Sequence, residues 1–234
     1  CLVTGASGFI GSALVRCLLA DSFDVATGVR EIVPESKYSV EQIPIGDLLV
    51  FSQATSTPIR KLFVGIDVVI HTAARVHIMN DSSDDPLAEF REVNTYGTLN
   101  LARQAGKAGV KSFIFLSSIK VNGEYTTEQP FVSGDTNVPL DPYGLSKYEA
   151  EQGLLQIAQE TGLEVVIIRP PLVYGPGVKA NFLSLLRWVH RGVPLPLGMI
   201  RNKRSFVALD NLIILMLIYD DHPNAKGQVF LVSD

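Results

Sequence analysis

The sequence is short of several things, and each shortage removes a class of explanation. Only two cysteines, Cys1 and Cys17, occur in 234 residues. That is too few for a disulfide framework and fits reduced thiols in a cytoplasmic protein. There is no basic block and the formal net charge is −4, so nothing calls for nucleic acid or an anionic membrane. The longest apolar run, residues 212–219, is far too short to span a bilayer and reads as a buried helix. No secretory signal is visible. Histidines and cysteines are not grouped at metal-ligand spacings, so no catalytic metal is expected. Internal repeats and low-complexity segments are also missing.

What is present is a chain that is 47% hydrophobic, enough for one full α/β domain and a small appendage. Short apolar runs at 2–3, 24–29, 68–71, 113–116, 165–168 and 229–232 alternate with helical patterns at 10–20, 87–108, 143–161, 181–191 and 210–219. This alternation predicts a doubly wound parallel sheet wrapped by helices, with ligands at the carboxyl edge of the strands. The Pro- and Gly-containing stretch 169–177 marks a shift, after which the alternation weakens. The expected division is a dinucleotide-binding domain over 1–170 and a smaller substrate-binding part over 171–234, interleaved with the sheet. Cys1-Leu2-Val3 reads as the tail of a strand already under way, and the run at 228–232 as a strand with no helix after it. The expectation is a piece of a longer protein, incomplete at its C-terminal side.

Thr4-Gly-Ala-Ser-Gly-Phe-Ile-Gly11 spaces Gly5, Gly8 and Gly11 between a strand and a helix. Gly5 allows a tight turn, Gly8 lets a phosphate approach the backbone, and Gly11 lets the helix pack close to the sheet. With Ser7, Phe9 and Ile10, these residues form a candidate pyrophosphate site at a helix N-terminus. At the end of the second strand, an acid would hold a ribose 2′-hydroxyl and an arginine would pair with a 2′-phosphate. The chain has Val29 followed by Arg30, which favours NADP(H) over NAD, with Glu31 beside it as a counter-signal. Small residues Ala73 and Ala74 would let the cofactor lie against the backbone. His71 reads as a core histidine satisfied by local backbone.

Tyr143 and Lys147 stand four residues apart and so share one helical face. Hydride transfer at a carbinol needs a group that takes or returns the hydroxyl proton, and a phenol serves if its phenolate is stabilised. Lys147 is expected to lower the phenol pKa by its charge and to hydrogen-bond the nicotinamide ribose. Ser118, after the fourth apolar run, would bond the reacting oxygen, with Ser117 the neighbouring candidate.

The whole chain resembles the extended short-chain dehydrogenase/reductases of the NAD(P)-dependent epimerase/dehydratase family. The resemblance rests on residues 4–11, 71–74, Asn94, Ser117-Ser118, Tyr143 to Lys147, Arg169-Pro170, residues 173–177, and Arg204-Ser205-Phe206-Val207. It implies a Rossmann-like fold, Ser118, Tyr143 and Lys147 as catalytic, and Asn94 among the cofactor contacts. It further implies a nucleotide-diphosphate sugar, UDP-linked, as substrate, with Arg204 on the diphosphate and Asn181 opening the helix that helps hold the sugar. A homodimer through the helices 87–108 and 143–161 is the family expectation.

Departures narrow the reaction. Where sugar 4,6-dehydratases of the family carry Asp-Glu after the strand-end Ser or Thr, this chain has Ile119-Lys120. Where sugar epimerases usually show Val-Tyr-Gly, it has Val121-Asn122-Gly123. The expectation is a UDP-sugar 4-epimerase or 4-ketoreductase, with the reductase slightly favoured by Arg30. The segments 117–124 and 169–174 resemble bacterial enzymes that make sugars for surface polysaccharide. The alternatives are an NADPH-dependent reductase of a small non-sugar ketone and a non-catalytic NADP sensor.

Overall fold

A computed structural model describes residues 1–32, 39–46, 48, 63–76, 85–126, 128–135, 137–178, 180–193 and 202–234, the side chains of 180, 181, 220 and 221 excepted. The strands are β1 (Leu2–Thr4), β2 (Ala26–Val29), β3 (Glu41–Pro44), β4 (Val68–His71), β5 (Ser112–Leu116), β6 (Glu164–Arg169), β7 (Leu172–Tyr174), β8 (Phe206–Ala208) and β9 (Val229–Leu231). The helices are α1 (Phe9–Ala20), α2 (Pro86–Phe90), α3 (Thr98–Ala108), α4 (Pro142–Thr161), α5 (Ala180–His190) and α6 (Leu209–Asp221), with a π-helical segment, Arg91–Gly97, joining α2 to α3.

Seven strands form one sheet in the order β3-β2-β1-β4-β5-β6-β9, and every pairing is parallel. The order reverses between β1 and β4, which opens a crevice at their carboxyl ends. This is the Rossmann-like arrangement that the sequence resemblance implies. Strand residues alternate between two apolar layers, because both faces are covered. Leu2, Val69, Phe113, Phe115, Val165 and Ile167 pack with Leu101, Ala105, Leu154 and Ile157 of α3 and α4. Val3, Ile70, Ile114, Val166 and Ile168 pack on the other face with Leu14, Leu18, Leu212 and Met216 of α1 and α6. Two-sided burial is why these strands read as unbroken apolar runs.

Three strands escaped the sequence pattern. β3 is an edge strand in which only Ile43 is buried, and it ends in Pro44, which an edge tolerates. β7 and β8 are three residues each and pair in parallel as a separate ribbon. β9 then returns to the main sheet beside β6, with Ile167 opposite Val229. The expected single helix over 87–108 is continuous but carries the π-helical turn, a local widening that often accompanies functional sites. α4 begins on Asp141, whose carboxylate accepts from Gly144 N at 2.8 Å, followed by Pro142.

Candidate active site

The turn from β1 into α1 is held by contacts that only glycine permits. Gly5 has φ +71°, and a Cβ there would sit 2.6 Å from the Ala73 nitrogen. A Cβ at Gly11 would sit 2.2 Å from the Gly5 carbonyl oxygen, so α1 starts pressed against the turn. Gly8 caps the helix without a side-chain bond, and its N–H donates to Gly5 O at 2.9 Å. The first turn carries no acidic residue, and the ladder opens with Ser12 N donating to Gly8 O. The amides of Phe9, Ile10 and Gly11 thus precede the ladder at the positive end of the dipole, a disposition suited to an anion. Ser7 is exposed, and Phe9 and Ile10 are half-buried against the α1 core.

The ends of β1 and β4 are tied together. The Thr72 hydroxyl donates to Thr4 O at 2.7 Å. His71 is fully buried, with Nδ1 2.7 Å from the Thr4 hydroxyl and Nε2 2.9 Å from the Thr98 hydroxyl. Its partners are therefore threonine side chains and not the local backbone expected from sequence. Burial pushes its pKa down to about 3, with Lys147 adding to the shift. Ala73 and Ala74 follow, half-buried. Asn94, in the π-helical turn, is buried and fully engaged. Its Oδ1 accepts from Arg75 N at 2.8 Å, and its amide donates to Arg75 O and to Ser146 Oγ. Its side chain holds the backbone after Ala74 in place, which is a positioning contribution to the expected cofactor site. Arg30 is exposed just beyond β2.

The two serines after β5 diverge. Ser117 is buried and its hydroxyl donates to Glu151 Oε1 at 2.5 Å. Ser118 is half-buried, caps the 3₁₀ turn Ile119–Val121 through its hydroxyl, and lies near enough to the Tyr143 phenol to lower its pKa. The geometry separates the candidate Ser118 from Ser117. Burial pushes the Tyr143 phenol up to about 12, the Ser118 bond pulls it down, and Asp141 pushes it up. Lys147, expected to depress that phenol, is not among the influences on it. Its Nζ donates to Leu116 O at 2.9 Å and lies 4.5 Å from the centre of the Phe115 ring. Burial lowers Lys147 to about 7, and Glu151 counters that shift.

Beneath these groups lies a buried polar network that sequence reading missed. Arg169, at the end of β6, donates through Nε and Nη2 to both Glu151 oxygens, at 2.6 to 3.2 Å. Its Nη1 donates to Asn122 Oδ1 at 3.0 Å. Asn122 donates in turn to Val132 O and Asp135 Oδ2. Two signals were available: Glu151 four residues after Lys147, and an arginine closing an apolar strand.

On the opposite side of the crevice, Tyr174, Phe182 and Phe206 cluster with ring centres 5.7 to 6.3 Å apart, joining β7, α5 and β8. A Cβ on Gly177 would touch Phe9, so the turn after β7 lies beside the start of α1. Arg204 is exposed, just ahead of β8, with Lys203 beside it. The side chain of Asn181, the second residue of α5, lies outside the described residues, as does Arg201. Ile119 and Lys120 occupy the 3₁₀ turn, and Lys120 pairs outward with Glu124 at 2.5 Å. Among the described residues no group of three or more His, Cys, Asp or Glu is gathered for a metal, and no helix is long and apolar enough to cross a membrane.

The family model of the NAD-dependent epimerase/dehydratases matches residues 1–233. A UDP-glucose 4-epimerase of Vibrio cholerae is 50% identical over 236 residues, which take in 100% of this chain and 70% of that protein. Among solved structures, MoeE5 in complex with UDP-glucose and NAD aligns with a TM-score of 0.80 at 28% identity, over 99% of this chain and 75% of that one. UDP-glucose 4-epimerase from Thermotoga maritima, solved with UDP-glucose, aligns with a TM-score of 0.80 at 25% identity, over 99% of this chain and 76% of that one. With the family match running almost end to end and a relative identical at half its positions, the chain belongs to the NAD-dependent epimerase/dehydratase family.

Proposed function

We propose that this protein is an NAD-dependent 4-epimerase of a UDP-hexose, acting in the cytoplasm to supply sugar donors for surface polysaccharide. The observation that carries this reading is Ser118 beside the Tyr143 phenol, which it acts on, with buried Lys147 one helical turn away. The 50% identity to a UDP-glucose 4-epimerase supports a UDP-sugar as the substrate class.

The residues present fit a dinucleotide. The cradle from Gly5 to Gly11 would hold the pyrophosphate, and Ala73 and Ala74 would lie against the adenosine side. Lys147 would reach the nicotinamide ribose. When bound, NAD supplies a hydride acceptor and donor at sugar C4. Tyr143 takes the proton from the C4 hydroxyl and returns it to the same oxygen, so the proton count closes over one turnover. To accept a proton the phenol must be ionised, which its burial opposes. Ser118 favours the phenolate, and the Lys147 ammonium, held on Leu116 O in this structure, would favour it further once released towards the site. Arg204 and Asn181 are the candidate diphosphate and sugar contacts, the first because guanidinium matches phosphate oxygens in pairs. The part 171–234 supplies the substrate side, and α3 with α4 is the expected dimer surface.

The test is to incubate the protein with UDP-glucose and follow UDP-galactose by NMR, with mass spectrometry of the cofactor released on denaturation. Interconversion with retained NAD and no net consumption is the expected result. Arg30 supports a second reading, a 4-ketoreductase. Stoichiometric NADPH consumption with a 4-keto UDP-sugar, and no interconversion, would put that reading in its place.

A further inference from the structure

We propose that Glu151 is a positioning residue for the reaction, holding Lys147 in its charged form and anchoring the Ser117-Ser118 segment through one buried carboxylate. The proposal rests on the reading of Tyr143 and Lys147 as the proton-handling pair.

The geometry is specific. Glu151 and Lys147 are both essentially inaccessible to solvent, at 1% each, and stand one turn apart on the inner face of α4. The Glu151 carboxylate accepts two donors from Arg169 and one from Ser117. Three elements therefore meet on one group: the helix carrying Tyr143 and Lys147, the strand end carrying Ser117-Ser118, and the end of β6. Ser117 N also donates to Ile168 O at 2.8 Å, so the serine segment is fixed at both main chain and side chain.

The charges around Lys147 show why a carboxylate belongs there. On α4 it is flanked by Tyr143 and Glu151. From β5 it meets the Leu116 carbonyl and the Phe115 ring. From β4 it faces His71, which is neutral at working pH because burial has lowered its pKa. From β6 comes Arg169, held behind Glu151. Lys120, on the 3₁₀ turn, is paired outward with Glu124, and Asp141 acts on Tyr143. Among these groups Glu151 is the anion that acts on Lys147, and its influence opposes the desolvation that favours the neutral amine. Arg169 lies against the Glu151 carboxylate, and Asp135 feels the guanidinium from the far side. A buried ion pair of this kind contributes little to net stability, so its retention invites a functional explanation.

The experiment compares wild type, Glu151→Gln, Glu151→Asp and Ser117→Ala in pH–rate profiles of 4-epimerisation. In parallel, NMR follows Lys147 in protein with 13C-labelled lysine side chains, its signal assigned by loss in Lys147→Met. Glu151→Gln is expected to move the alkaline limb of kcat and the Lys147 titration down together by about one pH unit. Activity then begins to fall about one pH unit lower than in wild type, so the loss includes neutral pH and is recovered in part on acidification, with KM for the UDP-sugar little changed. Glu151→Asp should show a smaller shift in the same direction and keeps the test open where the glutamine variant does not fold. Ser117→Ala keeps the carboxylate and should leave the limb in place. Uniform loss across pH, or a Lys147 titration unmoved in both Glu151 variants, would overturn the proposal. Because the NMR arm does not depend on turnover, a wild-type protein without epimerase activity would refute the functional reading while still deciding the Glu151–Lys147 coupling.

Discussion

Ser117 and Ser118 are adjacent, chemically identical and at the end of the same strand, yet their surroundings differ. Ser117 Oγ is committed to Glu151 inside the fold, whereas Ser118 caps the following turn and acts on the Tyr143 phenol. Ser117→Ala should therefore destabilise the protein by about 1–3 kcal/mol, the cost of leaving a buried partner short of a donor. It should lower kcat equally at every pH and far less than Ser118→Ala does, and urea denaturation with steady-state kinetics checks both halves. Ser118→Ala should do the reverse, with a melting temperature close to wild type and turnover lowered about a hundredfold. Tyr143→Phe removes the proton acceptor and should lower turnover by at least about a hundredfold while the retained cofactor, read by mass spectrometry, is unchanged. A Tyr143→Phe protein with near-normal turnover would remove the phenol from the mechanism.

At the scale of elements, the turn between β1 and α1 and the strand β4 make separate predictions. Gly11→Ala has no room, since its Cβ would fall 2.2 Å from the Gly5 carbonyl oxygen. The helix must move away from the turn, costing about 1–3 kcal/mol and displacing the amides proposed to face the pyrophosphate. Loss of cofactor retention with a lowered melting temperature is the expected outcome. β4 ends in His71, whose folded pKa of about 3 lies below the ordinary 6.5. The unfolded chain then binds more protons than the folded one between these values. The contribution of this group to stability is therefore full above pH 6.5 and lost as pH falls towards 3, at about 1.4 kcal/mol per pH unit. His71→Gln should remove that slope from urea midpoints measured between pH 6.5 and 4.5. An unchanged slope would mean that His71 is not the titrating group. The element boundaries were legible where apolar residues ran unbroken, as in β5 and β6. β3 was not, because an edge strand with one buried side chain has no pattern to display. The π-helical turn was equally hidden, since it depends on Asn94 and Thr95 reaching Arg75 and Ser146 across the fold.

For the whole molecule, the turn after β7 lies beside Phe9 at the start of α1. Arg204 is exposed just ahead of β8 and is the proposed diphosphate contact. Arg204→Ala should weaken UDP binding about tenfold or more, as loss of charged hydrogen bonds does. Wild-type thermal shifts with UDP set the reference, and an equal shift in the variant would remove Arg204 from the diphosphate site. The sequence by itself determined the parallel α/β sheet, the glycine turn into α1 and the placing of Tyr143 and Lys147 one turn apart on α4. Each of these is local, depending on periodicity, on a three-residue spacing of glycines or on one turn of helix. Only the tertiary structure decided which serine meets the phenol, that His71 is bridged by two threonines, and that Arg169 and Glu151 lie under the site. Those contacts join residues 18 to 67 positions apart, and no local pattern encodes which distant partners a buried polar group will find once both faces of the sheet are covered.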